Sequence, residues 1–331
     1  MLLPRDFIRR CAASYPDKAA FVDGDRIASW GAMHERSGRL AGALQAMGVA
    51  KGDVVAILSH DHLEVVEHWF ACMKLGAVRV GINWRYAPRE ILHLIRDAGA
   101  RILFVQANCV ALLDEIRGEI DSAGVRLIGY GEDHGLPDDY ETLLTNHSAP
   151  VELPPLAPED LIALSYTTGT TGLPKGALWT QRGVLDCVVN SMLQLGLRYE
   201  DSYFAPFPMA GVPILCGTLG MVTGMTVILP DGDFNPQRAL ELMTRHRATA
   251  AIFVPTMLQA VLNAYKAGDY DLSALRLLTY GSSPATPALI RNAMETFGCE
   301  IMQLYGLTES TAGWLSFLRH DEHLRGLAGE P

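Results

Sequence analysis

The sequence predicts an α/β fold organised around a doubly wound, mainly parallel β-sheet. Short runs rich in β-branched residues alternate with longer stretches of helical periodicity, which is the pattern of successive βαβ units. The chain has 331 residues, of which 49% are hydrophobic, so it is long enough to form two lobes. No internal repeat and no low-complexity tract interrupts this alternation. An α/β enzyme of ordinary composition is therefore expected.

The first part of the chain is predicted to contain four strands and three helices. Segment 27–49 begins as a strand and continues as an amphipathic helix, because Leu40, Leu44 and Met47 recur on one helical face. The elements that follow are strand Val54–Leu58, helix His62–Leu75, strand Ala77–Ile82, helix Arg89–Ala98 and strand Ile102–Val105. The length of each segment distinguishes predicted strands from predicted helices, since the strands are short apolar runs and the helices are longer.

The alternation resumes after segment 131–160, which is rich in proline and acidic residues and is predicted to be a connector. The later elements are strand Leu161–Ser165, helix Thr180–Leu197, strand Met225–Leu229, helix Gln237–His246, strand Ala250–Val254, helix Thr256–Ala267, strand Leu275–Tyr280, helix Ala285–Phe297 and strand Glu300–Leu304. We expect two lobes, roughly 1–165 and 166–331, with intertwined boundaries.

Composition excludes several function classes. The net charge is −10, from 27 basic and 37 acidic residues without a basic cluster, which argues against a nucleic-acid partner. The stretch 203–230 has no charged residue, but Pro206, Pro208, Pro213 and four glycines break it, so buried core is expected rather than a transmembrane helix. Six cysteines lack C-x-x-C spacing and predict reduced thiols in a cytoplasmic protein. No signal peptide is visible at the N-terminus.

The run 166–176 is the strongest functional signal. It follows a predicted strand and contains three kinds of phosphate-binding group: hydroxyls on Thr167, Thr168, Thr170 and Thr171, flexible backbone at Gly169, Gly172 and Gly176, and the cation Lys175. Glycines bring backbone N–H groups close to a ligand, and a lysine supplies a point charge for anionic oxygens. The run does not match a Walker A loop, because Pro174 occupies the second glycine position. We interpret it as a polyphosphate-binding loop; the alternative is a flexible surface loop.

Two further segments follow predicted strands, where ligands bind in open α/β sheets. In the segment 303–309, Tyr305 offers a stacking face, Gly306 allows close approach, Thr308 can donate to a phosphate and Glu309 can bind Mg²⁺. The alternative is a strand end followed by a helix-capping pair. The other segment is the turn Gly281, Ser282, Ser283 and Pro284.

The runs 166–176 and 303–309 together resemble the signature motifs of the adenylate-forming superfamily, which includes acyl-CoA synthetases, and the turn 281–284 is similar to its Gly-Gly-Ala-Pro turn. Weaker similarity extends over about 14–331. The resemblance implies two mainly parallel sheets flanked by helices in an αβαβα layered N-terminal domain. It also implies that Thr167–Lys175 hold the β- and γ-phosphates of ATP, that residues 281–284 border the adenine and the acyl pocket, and that Tyr305 stacks on adenine. Thr308 and Glu309 would be catalytic, contacting the α-phosphate and Mg²⁺.

By the same resemblance, the protein would convert a carboxylic acid and ATP to acyl-AMP and then transfer the acyl group to coenzyme A. The candidate acyl pocket is apolar and suits an uncharged fatty or aromatic acid: Phe207, Met209, Phe253, Met257 and Leu304. The segment 206–211 lacks the histidine that the family carries there, so we expect the carboxylate to be positioned differently. No aspartate lies between Phe204 and Pro230, which argues against an amino-acid-activating member.

The segment 327–331 resembles the one that opens the third subdomain of this family. We therefore expect an incomplete N-terminal AMP-binding domain, without the β-barrel subdomain and the small C-terminal domain, and poor turnover by this chain alone. Two alternatives stay open beside the acyl-CoA synthetase: a fatty acyl-AMP ligase that delivers to a carrier protein, and a non-catalytic nucleotide-binding remnant. A homodimer is a further expectation.

Overall fold

A computed structural model describes residues 2–167, 172–311 and 313–329. Fifteen strands occur within these residues: β1 Ala19–Asp23, β2 Arg26–Ser29, β3 Val54–Ser59, β4 Val78–Asn83, β5 Ile102–Gln106, β6 Arg126–Tyr130, β7 Asp138–Asp139, β8 Leu161–Thr167, β9 Lys175–Thr180, β10 Ser202–Phe204, β11 Thr226–Ile228, β12 Ala250–Phe253, β13 Leu277–Gly281, β14 Glu300–Gly306 and β15 Trp314–Leu318.

The helices of the described chain are α1 Pro4–Ser14, α2 Trp30–Ala46, α3 Leu63–Leu75, α4 Pro88–Ala98, α5 Arg117–Ser122, α6 Tyr140–Asn146, α7 Gln181–Leu195, α8 Pro213–Gly217, α9 Gly220–Thr223, α10 Pro236–Arg245, α11 Pro255–Ala264, α12 Pro287–Phe297 and α13 His320–Ala328. Segments Ala107–Ile116 and Thr308–Ser310 are 3₁₀-helices. Within these ranges no helix is long and apolar enough to cross a membrane.

The strands form two sheets. The eight-stranded sheet has the order β15-β14-β13-β12-β10-β11-β1-β2, and the seven-stranded sheet has the order β7-β6-β5-β3-β4-β8-β9. Neighbouring strands are parallel except for β1–β2, β8–β9 and β14–β15, each of which lies at a sheet edge. The expectation of two mainly parallel sheets flanked by helices is confirmed.

Three hydrophobic clusters define the layers. The largest contains side chains from both sheets, such as Ile57 of β3 and Ile252 of β12, together with helices α1, α2, α3 and α7, so it fills the space between the sheets. A second cluster packs α10, α11 and α12 on the other face of the eight-stranded sheet. The third packs α4 and the segment 107–122 on the other face of the seven-stranded sheet. This gives the αβαβα order of layers.

The chain crosses between the sheets more than once. β1 and β2 lie in the eight-stranded sheet, whose other strands all come after residue 201. β8 and β9 continue the seven-stranded sheet past residue 166. The division into lobes of roughly 1–165 and 166–331 stays a proposal.

Most predicted elements occur within one to three residues of their predicted bounds. The stretch 203–230 contains most of β10, then α8, α9 and β11, so it is not one long helix. Helices α1 and α13 and strands β1, β6, β9 and β15 were not predicted. The segment 131–160, predicted to be a connector, contains β7 and α6.

Local signals set the start of the helix that follows the predicted phosphate loop. Thr180 ends β9 with extended backbone (φ −99°, ψ 162°), and its hydroxyl accepts a hydrogen bond from the Gly183 N–H at 3.1 Å. This is N-capping, which satisfies one of the free N–H groups of the first helical turn. At the other end, Gly196 adopts the left-handed conformation (φ +57°) and closes the helix.

Candidate active site

The run 166–176 extends from the end of β8 to the start of β9, and these two strands form a β-hairpin at the edge of the seven-stranded sheet. Thr167 of β8 lies opposite Lys175 of β9, so the two residues flank the connecting loop. Gly172 has φ +144°, a conformation that side-chain-bearing residues rarely adopt. The other predicted loop residues lie outside the described residues: Thr168, Gly169, Thr170 and Thr171. The hairpin presents the exposed Lys175 next to this loop.

Two contacts with α4 hold the hairpin in place. The Tyr166 hydroxyl donates a hydrogen bond to Asp97 Oδ2 at 2.6 Å, and His93 Nε2 lies 3.1 Å from the Pro174 carbonyl oxygen. Burial and the Asp97 carboxylate both raise the pKa of Tyr166, so the phenol stays a donor. A Cβ atom at Gly176 would lie 3.2 Å from the Tyr166 ring, so the ring packs directly on the backbone of β9. These contacts fix both ends of the phosphate-loop candidate.

A hydrogen bond between described residues joins the segment predicted to bind nucleotide and magnesium to the hairpin. β14 ends at Gly306 and is followed by the 3₁₀ turn that contains Thr308 and Glu309. The buried Trp179 of β9 donates from Nε1 to the Thr308 carbonyl oxygen at 2.8 Å, which joins an edge of one sheet to a strand end of the other. Tyr305 is 55% exposed and Glu309 is exposed. The hairpin and the 305–309 segment are therefore neighbours.

The described part of the chain contains no group of three or more histidine, cysteine, aspartate or glutamate side chains that could hold a metal ion. Glu309 has no ion pair with any described residue. A single unpaired carboxylate suits Mg²⁺, which proteins commonly hold through one or two carboxylates while substrate phosphates supply further ligands.

The turn 281–284 lies beside the end of β14. Gly281 pairs with Leu304, and a Cβ at Gly281 would lie only 2.6 Å from the Leu304 carbonyl oxygen, so this close approach requires glycine. Ser282, directly after the end of β13, adopts φ +71°, an uncommon value for a residue with a side chain. Ser283 and Pro284 follow and are exposed.

A cavity of about 440 Å³ opens at the carboxyl ends of the central strands of the eight-stranded sheet. It is lined by Phe207, Pro208, Val212, Pro213, Cys216, Ile252, Val254, Met257, Gly281, Ser282, Gly306, Leu307, Thr308 and Trp314. No lining residue carries a charged side chain, and the polar lining comes from backbone and from Ser282 and Thr308. The cavity therefore suits an apolar group that ends beside the residues predicted to bind the nucleotide.

The structure divides the five predicted pocket residues into two sets. Phe207 and Met257 line the cavity. Met209, Phe253 and Leu304 are 1%, 1% and 2% exposed and pack in the hydrophobic clusters instead. Of the predicted nucleotide residues, Gly281, Ser282, Gly306 and Thr308 line the cavity, whereas Thr167, Lys175, Tyr305 and Glu309 lie outside its lining.

A buried polar network holds the loop that supplies Phe207 and Pro208 to the cavity. Asp61 accepts a hydrogen bond from the Met209 N–H at 2.6 Å. Arg79 of β4 donates to the Met209 carbonyl oxygen at 2.8 Å and to that of Ala210 at 3.4 Å. Burial raises the pKa of Asp61 to about 7 and lowers that of Arg79 to about 10. Two ionisable groups, one after β3 and one in β4 of the seven-stranded sheet, therefore position the loop.

Gly81 allows this loop to approach β4. A Cβ atom at Gly81 would lie 2.1 Å from the Ala210 carbonyl oxygen, so any side chain here would collide with the loop backbone. Sequence reasoning did not find Asp61, Arg79 or Gly81, because nothing local marks a contact across more than a hundred residues. Ile252 and Val254 were also missed, although strand alternation places them on the face opposite to Phe253.

Comparisons with known proteins show the family of this chain. The family model of the AMP-binding enzymes matches residues 8–331. Indoleacetate–CoA ligase of Aromatoleum aromaticum is 32% identical over 308 residues, which are 92% of this chain and 60% of that protein. Long-chain-fatty-acid–CoA ligase of Thermus thermophilus is 31% identical over 92% of this chain and 57% of its own length. Fatty acid–[acyl-carrier-protein] ligase ScoC of Streptomyces coeruleorubidus is 30% identical over 89% of this chain and 56% of its own.

Solved structures share the fold of this chain. The inhibitor-bound N-terminal domain of FACL13 from Mycobacterium tuberculosis superposes with a TM-score of 0.90 at 26% identity, over 98% of this chain and 81% of that one. The anthranilate CoA ligase AuaEII in complex with anthranoyl-AMP has a TM-score of 0.87 at 26% identity, over 93% of this chain and 60% of its own. The chain spans 56–60% of the length of the three relatives above.

Proposed function

This chain belongs to the AMP-binding enzyme family, and we propose on that basis that it serves to activate a carboxylic acid as acyl-AMP with ATP and to pass the acyl group to coenzyme A. One observation carries the proposal within this chain. The apolar cavity shares Gly281, Ser282, Gly306 and Thr308 with the segments that the sequence assigns to the nucleotide. An acyl group in the cavity would thus have its carboxylate next to the α-phosphate.

The lining favours an uncharged monocarboxylic acid. Phe207, Ile252, Met257 and Trp314 supply apolar surface, and no lining residue can pair with a second charge on the acid. A volume of about 440 Å³ suits an aromatic acid or a fatty acid of moderate length. The relatives named for indoleacetate and for long-chain fatty acids both act on acids of this chemical type.

For the nucleotide, we propose that Thr167, Gly172 and Lys175, together with the residues 168–171, hold the β- and γ-phosphates. Lys175 is exposed at the edge of the hairpin and can place its ammonium group on these phosphates. Tyr305, more than half exposed at the end of β14, supplies a stacking face for adenine. Ser283 and Pro284 would border the same ring.

Thr308 and Glu309 take the catalytic roles in this proposal. The acid's carboxylate oxygen attacks the α-phosphorus, the new C–O–P linkage forms, and the bond to pyrophosphate breaks. The Thr308 hydroxyl donates to the α-phosphate, where negative charge develops. Glu309 would hold Mg²⁺, and the ion, when bound, offsets charge on the phosphates and on the departing pyrophosphate. The thiol of coenzyme A then attacks the acyl carbon and AMP leaves.

A carrier protein is the second candidate acceptor. The relative ScoC is named as a ligase of fatty acids to the acyl-carrier protein, and both acceptors present the same thiol chemistry. Offering coenzyme A and a phosphopantetheinylated carrier protein to the same adenylate distinguishes them. The acceptor that becomes a thioester, detected by mass spectrometry, is the substrate.

We further propose a cytoplasmic protein that forms a homodimer. All six cysteines are buried, and their scattered positions without C-x-x-C spacing favour reduced thiols in a reducing compartment. Light scattering on the purified protein tests the assembly.

The proposed activity is tested by ATP–pyrophosphate exchange with a panel of aromatic and aliphatic monocarboxylic acids. We expect label to enter ATP only when an apolar acid and Mg²⁺ are both present. Binding of a non-hydrolysable acyl-sulfamoyl adenosine is measured beside it. Exchange without acid dependence, or no exchange together with no binding of any analogue, would contradict the proposal.

A further inference from the structure

A second cavity lies between α1, α2, the end of α3 and the segment 148–153, and it shares no lining residue with the cavity of the candidate active site. Its volume is about 620 Å³. It is lined by Arg5, Asp6, Arg9, His34, Glu35, Gly38, Arg39, Lys74, Ser148, Ala149, Pro150 and Leu153. Lys74, in the last turn of α3, contributes the most deeply buried charged group of this lining, being only 4% exposed.

Among the described residues, the side-chain nitrogen of Lys74 has two hydrogen-bond partners, and both are acceptors. Its Nζ donates to the His34 carbonyl oxygen at 2.5 Å and to Ser37 Oγ at 2.9 Å. The Ser37 hydroxyl itself donates to the Met33 carbonyl oxygen, so its oxygen receives the hydrogen from Lys74. No carboxylate of the described residues forms an ion pair with Lys74, although the chain pairs most of its other buried charges.

This arrangement suits a neutral amine better than an ammonium group. A neutral amine has two N–H bonds and one lone pair, whereas an ammonium group has three N–H bonds and no lone pair. The two acceptors use both N–H bonds of the neutral form and leave the lone pair free. Burial without a counter-charge also lowers the pKa of Lys74 to about 7.

Gly38 leaves the space beside Lys74 Nζ open, and both residues line the cavity. A Cβ atom at Gly38 would lie 3.5 Å from Lys74 Nζ and 3.1 Å from the Ala149 Cβ. Both Gly38 and Ala149 line the cavity. A side chain at position 38 would therefore stand between Nζ and the cavity space.

We propose that Lys74 is a nucleophilic lysine whose Nζ accepts an acyl group from an activated acyl donor that enters this cavity. The lone pair attacks the carbonyl carbon of an acyl phosphate or a thioester, and an amide C–N bond forms. The bond from that carbon to the phosphate oxygen or the thiol sulfur breaks, and the nitrogen releases one proton to solvent. Lys74 is thus a modification site separate from the active site, whether or not this chain makes its own acyl adenylate.

Trace labelling of the intact protein with acetic anhydride tests the nucleophilicity of Lys74. The chain has only five lysines, so Lys18, Lys51, Lys175 and Lys266 serve as internal references. Peptide mass spectrometry over a pH series gives the reactivity of each amine. We expect the labelling of Lys74 to titrate near pH 7 and to exceed that of the exposed Lys175 and Lys266 roughly fivefold or more at pH 7.5, because only the neutral amine reacts.

The other charged groups of the cavity bear on this titration. α1 contributes Arg5, Asp6 and Arg9, and α2 contributes His34, Glu35 and Arg39, while segment 148–153 contributes no lining charge. Burial and nearby Lys74 and Arg9 lower the pKa of His34 to about 4, so His34 stays neutral throughout the series. A change in labelling near pH 7 therefore reports Lys74.

Acetyl-AMP and acetyl-CoA, supplied separately at pH 7.5, distinguish the two donor classes. Gly38→Ala should reduce the acetylation of Lys74 several-fold and leave Lys51 unchanged, because the new methyl group shields Nζ. Gly118→Ala is the control, since a Cβ there meets nothing within 4 Å.

The proposal is overturned if the labelling of Lys74 in the wild-type protein has the same pH dependence as that of the exposed lysines. It is also overturned if neither donor acetylates Lys74 while exposed lysines react. The wild-type measurements decide the question even if Gly38→Ala does not fold.

Discussion

At the scale of single residues, Asp61 links the two sheets at the border of the acyl cavity. Its carboxylate is buried and accepts the Met209 N–H, while His62, Arg79 and Arg85 lie near enough to oppose the effect of burial on its pKa. Burial still raises the pKa to about 7, from an ordinary value of 3.8. The folded state therefore binds a proton more tightly than the unfolded state. It follows that the contribution of Asp61 to stability is full below about pH 4 and is lost as the pH rises through 7.

We predict that Asp61→Asn stabilises the protein at pH 8 relative to wild type but not at pH 4. Asparagine keeps an oxygen that can accept the Met209 N–H and removes the charge that burial disfavours. The gain should be on the order of a few kcal/mol at pH 8, because each unit of pKa shift corresponds to about 1.4 kcal/mol. Urea unfolding of both proteins across this pH range measures it. A difference between variant and wild type that does not change with pH would contradict this prediction.

Glu309 makes a second prediction at this scale. Glu309→Gln keeps the size of the side chain and removes the charge that would bind Mg²⁺. We expect the affinity for Mg·ATP to fall about tenfold or more, corresponding to at least about 1.4 kcal/mol, with little change for AMP without metal. Glu295→Gln, at an exposed site on α12, is the matched control. Isothermal titration calorimetry gives both affinities, and equal losses for Mg·ATP and AMP would remove Glu309 from the metal site.

At the scale of elements, the contact between β4 and the loop 207–213 decides the shape of the acyl cavity. We predict that Gly81→Ala lowers the free energy of unfolding by about 1–3 kcal/mol, as overpacking does, because its Cβ would lie 2.1 Å from the Ala210 carbonyl oxygen. The displaced loop should also weaken binding of acyl-adenylate analogues more than binding of AMP. Gly118→Ala is again the control and should be neutral or slightly stabilising. Unchanged analogue affinity in a Gly81→Ala protein would show that the loop does not shape the site.

The elements also show what local sequence can predict. Strands β3 and β12 are continuous apolar runs in the middle of their sheets, and their predicted bounds differ from the observed ones by one residue. The strand β9 was missed because it lies at a sheet edge and its residues are exposed or half-buried except for Trp179. An edge strand half in contact with solvent lacks the apolar run that marks a central strand. β9 pairs with β8 because the hairpin connection brings the two strands together, and the residue composition of β9 does not reveal this pairing.

At the scale of the whole molecule, the two sheets share one hydrophobic layer. Ile57 of β3, Phe70 of α3 and Ile252 of β12 belong to the same cluster. The eight-stranded sheet also combines β1 and β2 from the start of the chain with β10–β15 from its second half. We predict that both sheets unfold together. Hydrogen exchange measured by mass spectrometry in rising urea should show β3 and β12 losing protection at the same concentration. Protection that persists in one sheet after the other has exchanged would indicate two independent units.

The site could be predicted in part at this scale. The sequence predicted ligand-binding segments after β13 and β14 from their place at strand ends and from the family resemblance, and Gly281, Ser282, Gly306 and Thr308 of these segments line one cavity. It did not locate Asp61 and Arg79, whose partners are about 130 or more residues away in the chain. The sequence also did not show that Ile252, and not Phe253, lines the cavity, because a fully buried strand carries apolar residues on both faces.

The central claim is that the apolar cavity and the nucleotide segments form one acyl-adenylate site. Calorimetric titration tests it with two ligands that differ only in the acyl group: a benzoyl-sulfamoyl adenosine and the sulfamoyl adenosine without an acyl group. The account predicts tighter binding of the acylated ligand, and a Met257→Trp variant that fills the cavity should abolish that gain while keeping the affinity for the unacylated ligand. Equal affinity of the wild-type protein for the two ligands, across aromatic and aliphatic acyl groups, would contradict the claim.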